Sequence, residues 1–501
     1  MSHYDYIVVG GGTAGSVLAA RLTERPDVRV LLLEAGAREP HPLVAEPRDH
    51  YLLRQSSFSW GDITVVQAAT GTATPLPRGR GLGGSSAINA MLFVRGHRSG
   101  YDDWVEAGAK SWGFTDLLPY FKRSETVIGR DPELRGQSGP VVVGPADPPN
   151  PVLASVLDAA VEVGHRAATD IGGGLETGFG LPDLSIVAGL RQTAADAYLT
   201  PEVLARRNLE IVTDATVHEV RIVNRRAVGV RYSTYGALLS VDCSREVVLA
   251  AGAIGSPKLL MLSGVGPADH LRELGIAVLG HRPGVGSNLQ DHPLANVVFG
   301  TATAVPPARN NHAELIGLLQ VDPAAAGPDL QFVVTDLPQV PAGTAPPYGF
   351  TIKPSVMRPY SRGSVRLAST VATAAPLIDP NFFADPRDTT TMLRGIDLAR
   401  ELGAARALAE WGPTEIAPGP ALTARDDLRE YVGRTLASYC HPVGTCAIGD
   451  GEQAVVDNDL RVIGIDGLRV ADASVMPSLP SANTVATVYA IAERAAELLL
   501  A

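Results

Sequence analysis

Cysteine is scarce: Cys243, Cys440 and Cys446 are all that 501 residues supply. An odd, sparse set in so long a chain does not build a disulfide framework. No two of them have the spacing of a zinc knuckle, so no metal site is expected and the thiols read as incidental. A basic excess is also missing, since 42 Lys and Arg stand against 53 Asp and Glu, a formal charge of -11. That balance favours solubility and argues against the basic face of a nucleic-acid binder. No block of like charges forms an interaction tail. The early uncharged stretch from Tyr6 to Ala20 is broken by glycines and too short to span a bilayer. Nor does a basic segment lead into an apolar one, as in a secretory signal, so a cytoplasmic protein is expected.

What is present suits two or three compact units. Residues 5–36 read as a βαβ unit. Tyr6 to Val9 is a short apolar strand, Gly10 to Gly15 a glycine turn, Ala14 to Leu22 a helix and Val28 to Leu33 a second strand. Gly10, Gly12 and Gly15 make G-x-G-x-x-G at the strand-to-helix turn, where bare backbone and a helix N-terminus can meet a pyrophosphate. Glu34 follows at the distance of a ribose-binding acid and would repel a 2′-phosphate. The motif alone does not separate NAD from FAD. Further on, Glu210 to Tyr232 alternates like a β-meander. Broken strand patterns at Leu330 to Val334, Gly349 to Lys353 and Gly363 to Ala368 predict a separate antiparallel sheet, and residues 484–501 an apolar-striped helix.

Two stretches are more specific. The first is Gly79-Arg80-Gly81-Leu82-Gly83-Gly84-Ser85-Ser86-Ala87-Ile88-Asn89, a run of exposed amides and hydroxyls suited to a bulky flat or anionic ligand. The second is Gly252-Ala253-Ile254-Gly255-Ser256-Pro257, again between strand and helix, with Ser256 predicted as N-cap and Pro257 as the first helical residue. Both resemble the two signature patterns of the glucose–methanol–choline (GMC) oxidoreductases. The likeness also covers the opening βαβ unit, Arg362 to Leu367, and Tyr439 to Ala501.

That resemblance implies an α/β fold: a Rossmann-like FAD-binding domain (1-153, 193-300 and 431-501) beside an α+β substrate domain with an antiparallel sheet (154-192 and 301-430). This is the p-hydroxybenzoate-hydroxylase-like architecture. It implies FAD, with Gly10, Gly12 and Gly15 at the turn and Thr13 and Ala14 at the pyrophosphate. Glu34 and Ala35 fall at the adenosine ribose and Val217 at adenine. Trp60, Arg80, Leu82, Gly83, Gly84 and Ser85 flank the cofactor, and Asn89, Ala90, Met91 and Leu92 pass the flavin ring. Ala251, Gly252, Asp472, Ala473, Asn483, Thr484 and Val485 complete the set, although a core role for Trp60 is nearly as plausible. Some relatives carry flavin covalently through a histidine where this chain has Ile88, so noncovalent FAD is expected.

The same resemblance places His441, in Tyr439-Cys440-His441-Pro442, and Asn483, in Ser481-Ala482-Asn483-Thr484, as the catalytic pair. Imidazole has its ordinary pKa near 6.5 and can take a hydroxyl proton while hydride leaves the carbon. An amide can orient the same oxygen, with a helix N-cap as its competing role. His292 matches the family in Asp291-His292-Pro293 but has no assigned chemistry. Tyr439 and Cys440 complete the substrate pocket. The small Cys440 and a compact substrate domain point to an aromatic or mid-sized primary alcohol, oxidised to the aldehyde, with oxygen or another acceptor taking the electrons. No cluster of Asp and Glu announces a choline site, though one buried acid would suffice. A hydroxynitrile lyase, with FAD retained but no redox step, is the alternative the family leaves open.

Overall fold

The structure is a computed structural model that describes residues 4–340 and 345–501. Among these residues, two large sheets organise the chain. The first contains β1 (Tyr4–Val9), β2 (Val30–Leu33), β3 (Leu209–Val212), β4 (Ala215–Val223), β5 (Arg226–Thr234) and β6 (Ala237–Leu249), in the order β3-β2-β1-β6-β5-β4. The strand Leu468–Val470 adds to β6. The long strand β6 serves two partners. Its first half pairs antiparallel with β5, and its second half runs parallel to β1. The parallel strands are fully apolar, Ile7-Val8-Val9 and Val247-Val248-Leu249, because helices cover the sheet. Helix α1 (Thr13–Leu22) follows β1 and packs against the C-terminal helix Val485–Leu500, and α2 (Gly252–Leu262) follows β6.

The start of α2 corrects the expected cap. The helix already begins at Gly252, so Pro257 lies inside it, and Ser256 turns its hydroxyl to Asp472 instead of capping. Proline has no N–H to give the carbonyl four residues back, which is that of Ala253. Thr445 Oγ1 donates to that carbonyl at 2.6 Å, and so replaces the missing bond from a distant part of the chain.

The second sheet is antiparallel, in the order Thr414–Ala417, β7 (Val297–Gly300), β10 (Gly349–Val356), β9 (Leu330–Thr335), β8 (Leu315–Leu319), Gly178–Gly180. Short strands Pro293–Leu294 and Ala437–Ser438 extend it. Residues 293–300 and 437–438 thus join this sheet, although the sequence places them with the first unit. They sit at the crossings between the sheets, where hydropathy does not change. Gly363 to Ala368 does not join it, because Ser364–Arg366 pairs only with Leu377–Asp379. Side chains alternate across the sheet. Phe332, Val334, Phe350, Ile352 and Val356 pack on the helices Pro151–Glu162 and Pro386–Gly403. Ile316, Leu318 and Val333 face the other way, toward Leu92, Tyr439 and Ala482.

A buried charge network holds the connecting segments. Arg135 donates to Glu125 at 2.8 Å, to Asp170 at 2.6 Å and to Asp183 at 2.6 Å, while Arg95 pairs with Glu125. Arg95, Arg135, Glu125 and Asp183 are all 0% exposed, so each charge depends on its partners. Among the described residues no helix is long and apolar enough to cross a membrane.

Candidate active site

Strand register assembles the first part of the site. Val9 pairs with Leu33 on one side and Leu249 on the other, and Leu249 pairs with Val470. The residues one or two past these four strand ends, Gly10, Glu34, Ala251 and Asp472, therefore gather at the C-terminal edge of a parallel sheet, where such sheets bind ligands. A cavity of about 370 Å³ opens there. Three helices begin on it: α1 at Gly12, α2 at Ala251 and the C-terminal helix at Thr484. None has a cap from its own N-cap side chain or an acidic residue in its first turn. The first amide of α2 is taken by Asp472, while α1 and the C-terminal helix turn free amides and the positive ends of their dipoles to the cavity. Such an arrangement suits a pyrophosphate and other electron-rich groups.

Glycine is required where the backbone closes in. A Cβ on Gly15 would lie 1.8 Å from the Gly10 carbonyl, and one on Gly84 2.7 Å from the Gly12 Cα. Glu34 accepts from the Gly11 and Gly36 amides at 2.7 Å and from the Gly81 amide at 2.9 Å while still lining the cavity. Burial pushes its carboxyl up, and the three amides pull it back. Asp472 accepts from the Gly252 amide at 2.9 Å, from Ser256 at 2.5 Å and from the Ser474 amide at 2.8 Å, which ties the last strand to α2.

Most sequence-predicted cofactor residues line this cavity: Gly10, Gly12, Thr13, Ala14, Glu34, Ala35, Trp60, Gly84, Ser85, Asn89, Ala90, Leu92, Val217, Ala251, Gly252, Asp472, Ala473, Asn483, Thr484 and Val485. Gly15, Arg80, Leu82, Gly83 and Met91 do not, and support it from behind. Arg80 stacks over Trp60 at 5.2 Å, the Gly83 amide donates to Gly11, and Met91 is buried with φ 57°. Trp60 has no core role, being 43% exposed between the Arg78 and Arg80 guanidiniums and the cavity. Sequence reasoning missed Arg54, Lys258 and the wall segment 372–376. Lys258 Nζ donates to the Ala372 and Ala374 carbonyls and so pins that wall. Its place directly after the second of the two specific stretches was a usable signal, but the wall itself carries none.

At the other end, Tyr439, Cys440, His441 and Asn483 line the cavity together. The loop is held by Asp291, whose Oδ1 accepts from the His441 and His292 amides at 2.8 Å each and whose Oδ2 accepts from Ser438. Cys440 adopts φ 65°, a left-handed turn that presents the next side chain. Asn483 does not cap its helix, because Thr484 occupies that position. Its amide Nδ2 lies 3.3 Å from His441 Nε2. His441 Nδ1 lies 2.9 Å from His292 Nδ1, and His292 Nε2 lies 3.2 Å from the Met357 carbonyl. Burial pushes His441 well below its ordinary pKa, helped by His292, and lowers His292 to about 3, so both rings are neutral near pH 7.

One proton arrangement satisfies all these contacts. The Met357 carbonyl only accepts, so His292 Nε2 carries hydrogen and its Nδ1 is an acceptor. His441 Nδ1–H then donates to it, which leaves the Nε2 lone pair facing Asn483 and the cavity. His292, left without a role in the sequence reading, thereby sets the tautomer of His441.

The description "GMC oxidoreductase" is matched by residues 4–294 for the N-terminal part of the family and by residues 359–492 for its C-terminal part. The chain belongs to the GMC oxidoreductases. It is 37% identical to an alcohol dehydrogenase [acceptor] of Pseudomonas putida, over 99% of this chain and 96% of that one. It is 35% identical to an oxygen-dependent choline dehydrogenase of Rhizobium rhizogenes, over 99% and 95%. The solved pyridoxine 4-oxidase of Mesorbium loti superposes with a TM-score of 0.95 at 34% identity, over 99% of both chains. This GMC oxidoreductase is accordingly an FAD enzyme acting on CH–OH donors.

Proposed function

We propose that the enzyme oxidises a primary alcohol to its aldehyde, with His441 Nε2 as the base and Asn483 orienting the substrate oxygen. The observation that carries this reading is the placing of His441 between His292, 2.9 Å from its Nδ1, and the Asn483 amide, 3.3 Å from its Nε2 at the wall of the cofactor cavity, which leaves Nε2 as the nitrogen without a proton. A base already neutral at working pH takes the hydroxyl proton without first losing one of its own. Asn483 Nδ2, which points at Nε2 in the structure, can turn its second N–H to the alkoxide oxygen and hold the carbon in line. Bound FAD would supply the hydride acceptor and the route by which the electrons reach oxygen or another acceptor.

Residues 10–15 and 34 would hold the adenosine and pyrophosphate parts of FAD, and residues 89–92 and 483–485 the ring end. Noncovalent binding is supported by Ile88, which lines the cavity and offers no nucleophile. The first sheet with its helices would form the FAD-binding unit, and the second sheet the substrate unit. The open space beside Cys440 suits an aromatic or mid-sized alcohol. The relatives' named activities are all oxidoreductive and lend no support to a lyase.

The test is anaerobic addition of primary alcohols to the yellow holoenzyme. Bleaching in the wild type and its loss in His441→Ala with flavin retained supports the assignment. Equal bleaching in both overturns it. Recovery in air with peroxide marks an oxidase, and recovery only with an added acceptor marks a dehydrogenase.

A further inference from the structure

We propose that the alcohol taken by this site also carries an oxyanion, a carboxylate or a phosphate, which Lys353 and Arg54 receive. The proposal rests on the alcohol-oxidation reading and specifies its substrate class. Lys353 sits within β10, and strand alternation puts its side chain opposite Ile352, on the face shared with Val333, Tyr439 and Ala482. The residue is 9% exposed and makes no hydrogen bond or ion pair with any described residue. Its ammonium is nevertheless absent from the unpartnered polar atoms shut off from solvent, so it opens on space that a ligand or water can fill. Arg54 lines the cavity beside Cys440 and likewise has no hydrogen-bond or ion-pair partner among the described residues.

The two cations are neighbours. Burial lowers Lys353 to about 7, with the Arg54 charge adding to the effect, and the same guanidinium acts on the Cys440 thiol. No carboxylate offsets them. The acids that line the cavity are engaged elsewhere: Glu34 with three amides, Asp62 with Arg78, and Asp472 with Ser256 and two amides. Asp291, behind His441, is filled by Ser438 and two amides, and Asp336 by His312 and Asn150. A buried ammonium with no counter-ion, on the sheet face that packs toward the cavity residue Tyr439, and a free guanidinium on the cavity wall fit a negative ligand and repel a quaternary ammonium.

The experiment compares anaerobic flavin bleaching of the holoenzyme by benzyl alcohol and by its para-carboxylate, para-phosphate and para-trimethylammonium derivatives. One anionic derivative should reach its half-maximal rate at about a tenth of the benzyl alcohol concentration, as expected for a charge-assisted contact. Which anion gains more identifies the group. That ratio should collapse toward one in Lys353→Met, which keeps the side-chain volume, and fall in the exposed Arg54→Gln. Bleaching by benzyl alcohol with no anionic advantage, a preference for the ammonium, or an advantage that survives both substitutions would overturn the proposal while leaving alcohol oxidation standing. Bleaching by none of the four would overturn the oxidation reading and this proposal with it.

Discussion

His441 Nδ1 lies 2.9 Å from His292 Nδ1, and the Met357 carbonyl beyond His292 decides which nitrogen owns the proton. The His441 ring is therefore oriented by a second imidazole rather than by a carboxylate. Asp291 serves only the backbone of both residues and the Ser438 hydroxyl.

Replacing His292 by Phe removes the acceptor for the His441 Nδ1 proton. The hydrogen can then sit on Nε2, where it blocks the base. The rate of anaerobic flavin reduction should fall by about tenfold to a hundredfold with FAD still bound. His292→Gln, whose carbonyl oxygen can accept that proton, should recover part of the loss. Equal loss in both variants would assign His292 to packing alone.

The buried, neutral imidazoles set a pH signature. Because the folded pKa of His441 lies well below its ordinary value, its Nε2 stays free as pH drops through about 6.5, and kcat/KM for an uncharged alcohol should hold level there. Stability behaves differently. His292 and His50 are each lowered to about 3, so the unfolded chain binds protons near its ordinary histidine pKa that the folded chain refuses. Stability present above that range is thus lost as pH falls. Asp291, raised to about 7, works in the opposite sense, as do the raised carboxyls of Glu34 and Asp472 at lower pH, against the three buried histidines His441, His292 and His50. Melting temperatures between neutral pH and pH of about 4.5 should decline while kcat/KM at its upper end stays flat.

Thr445→Val keeps the shape of the side chain but strands the Ala253 carbonyl, which has no helical donor because of Pro257. The cost should be about 2 kcal/mol, read as a lower melting temperature and weaker FAD retention. Thr445→Ser retains the hydroxyl and should lose much less.

Glu125→Gln leaves Arg95 without its carboxylate partner and weakens the hold on Arg135. Removing one member of a buried ionic group is costly, and a loss of about 3 kcal/mol or more is expected in chemical denaturation. Substituting exposed Asp426, paired only with Arg429 on its own helix, should change stability by about 0.5 kcal/mol at most.

Much of the cofactor half of the site was legible in the chain. The glycines at 10 and 15 sit where the backbone admits no side chain, as does Gly84 further on, and Glu34 stands at a fixed distance after the first two. Such constraints are local and leave a pattern. The helix start at Gly252 was misread because Ser256-Pro257 is a sound local cap, and only the remote Thr445 and Asp472 make the longer helix workable. The role of His292 depends on a carbonyl 65 residues away and leaves no mark in the sequence. The same holds for Lys353, whose strand alternation fits either face until the sheet is assembled.

The bond from Thr445 to Ala253 also bears on the order of synthesis. Helix α2 is made by residue 262, yet its gap is filled only when residue 445 arrives, and its Asp472 anchor comes later still. The helix Val485–Leu500, which supplies the third N-terminus of the cavity, is made after all of these. A nascent chain therefore carries both signature segments through a long stretch of translation without a finished pocket, and flavin capture must wait for the segments that hold Thr445, Asp472 and the helix after Thr484.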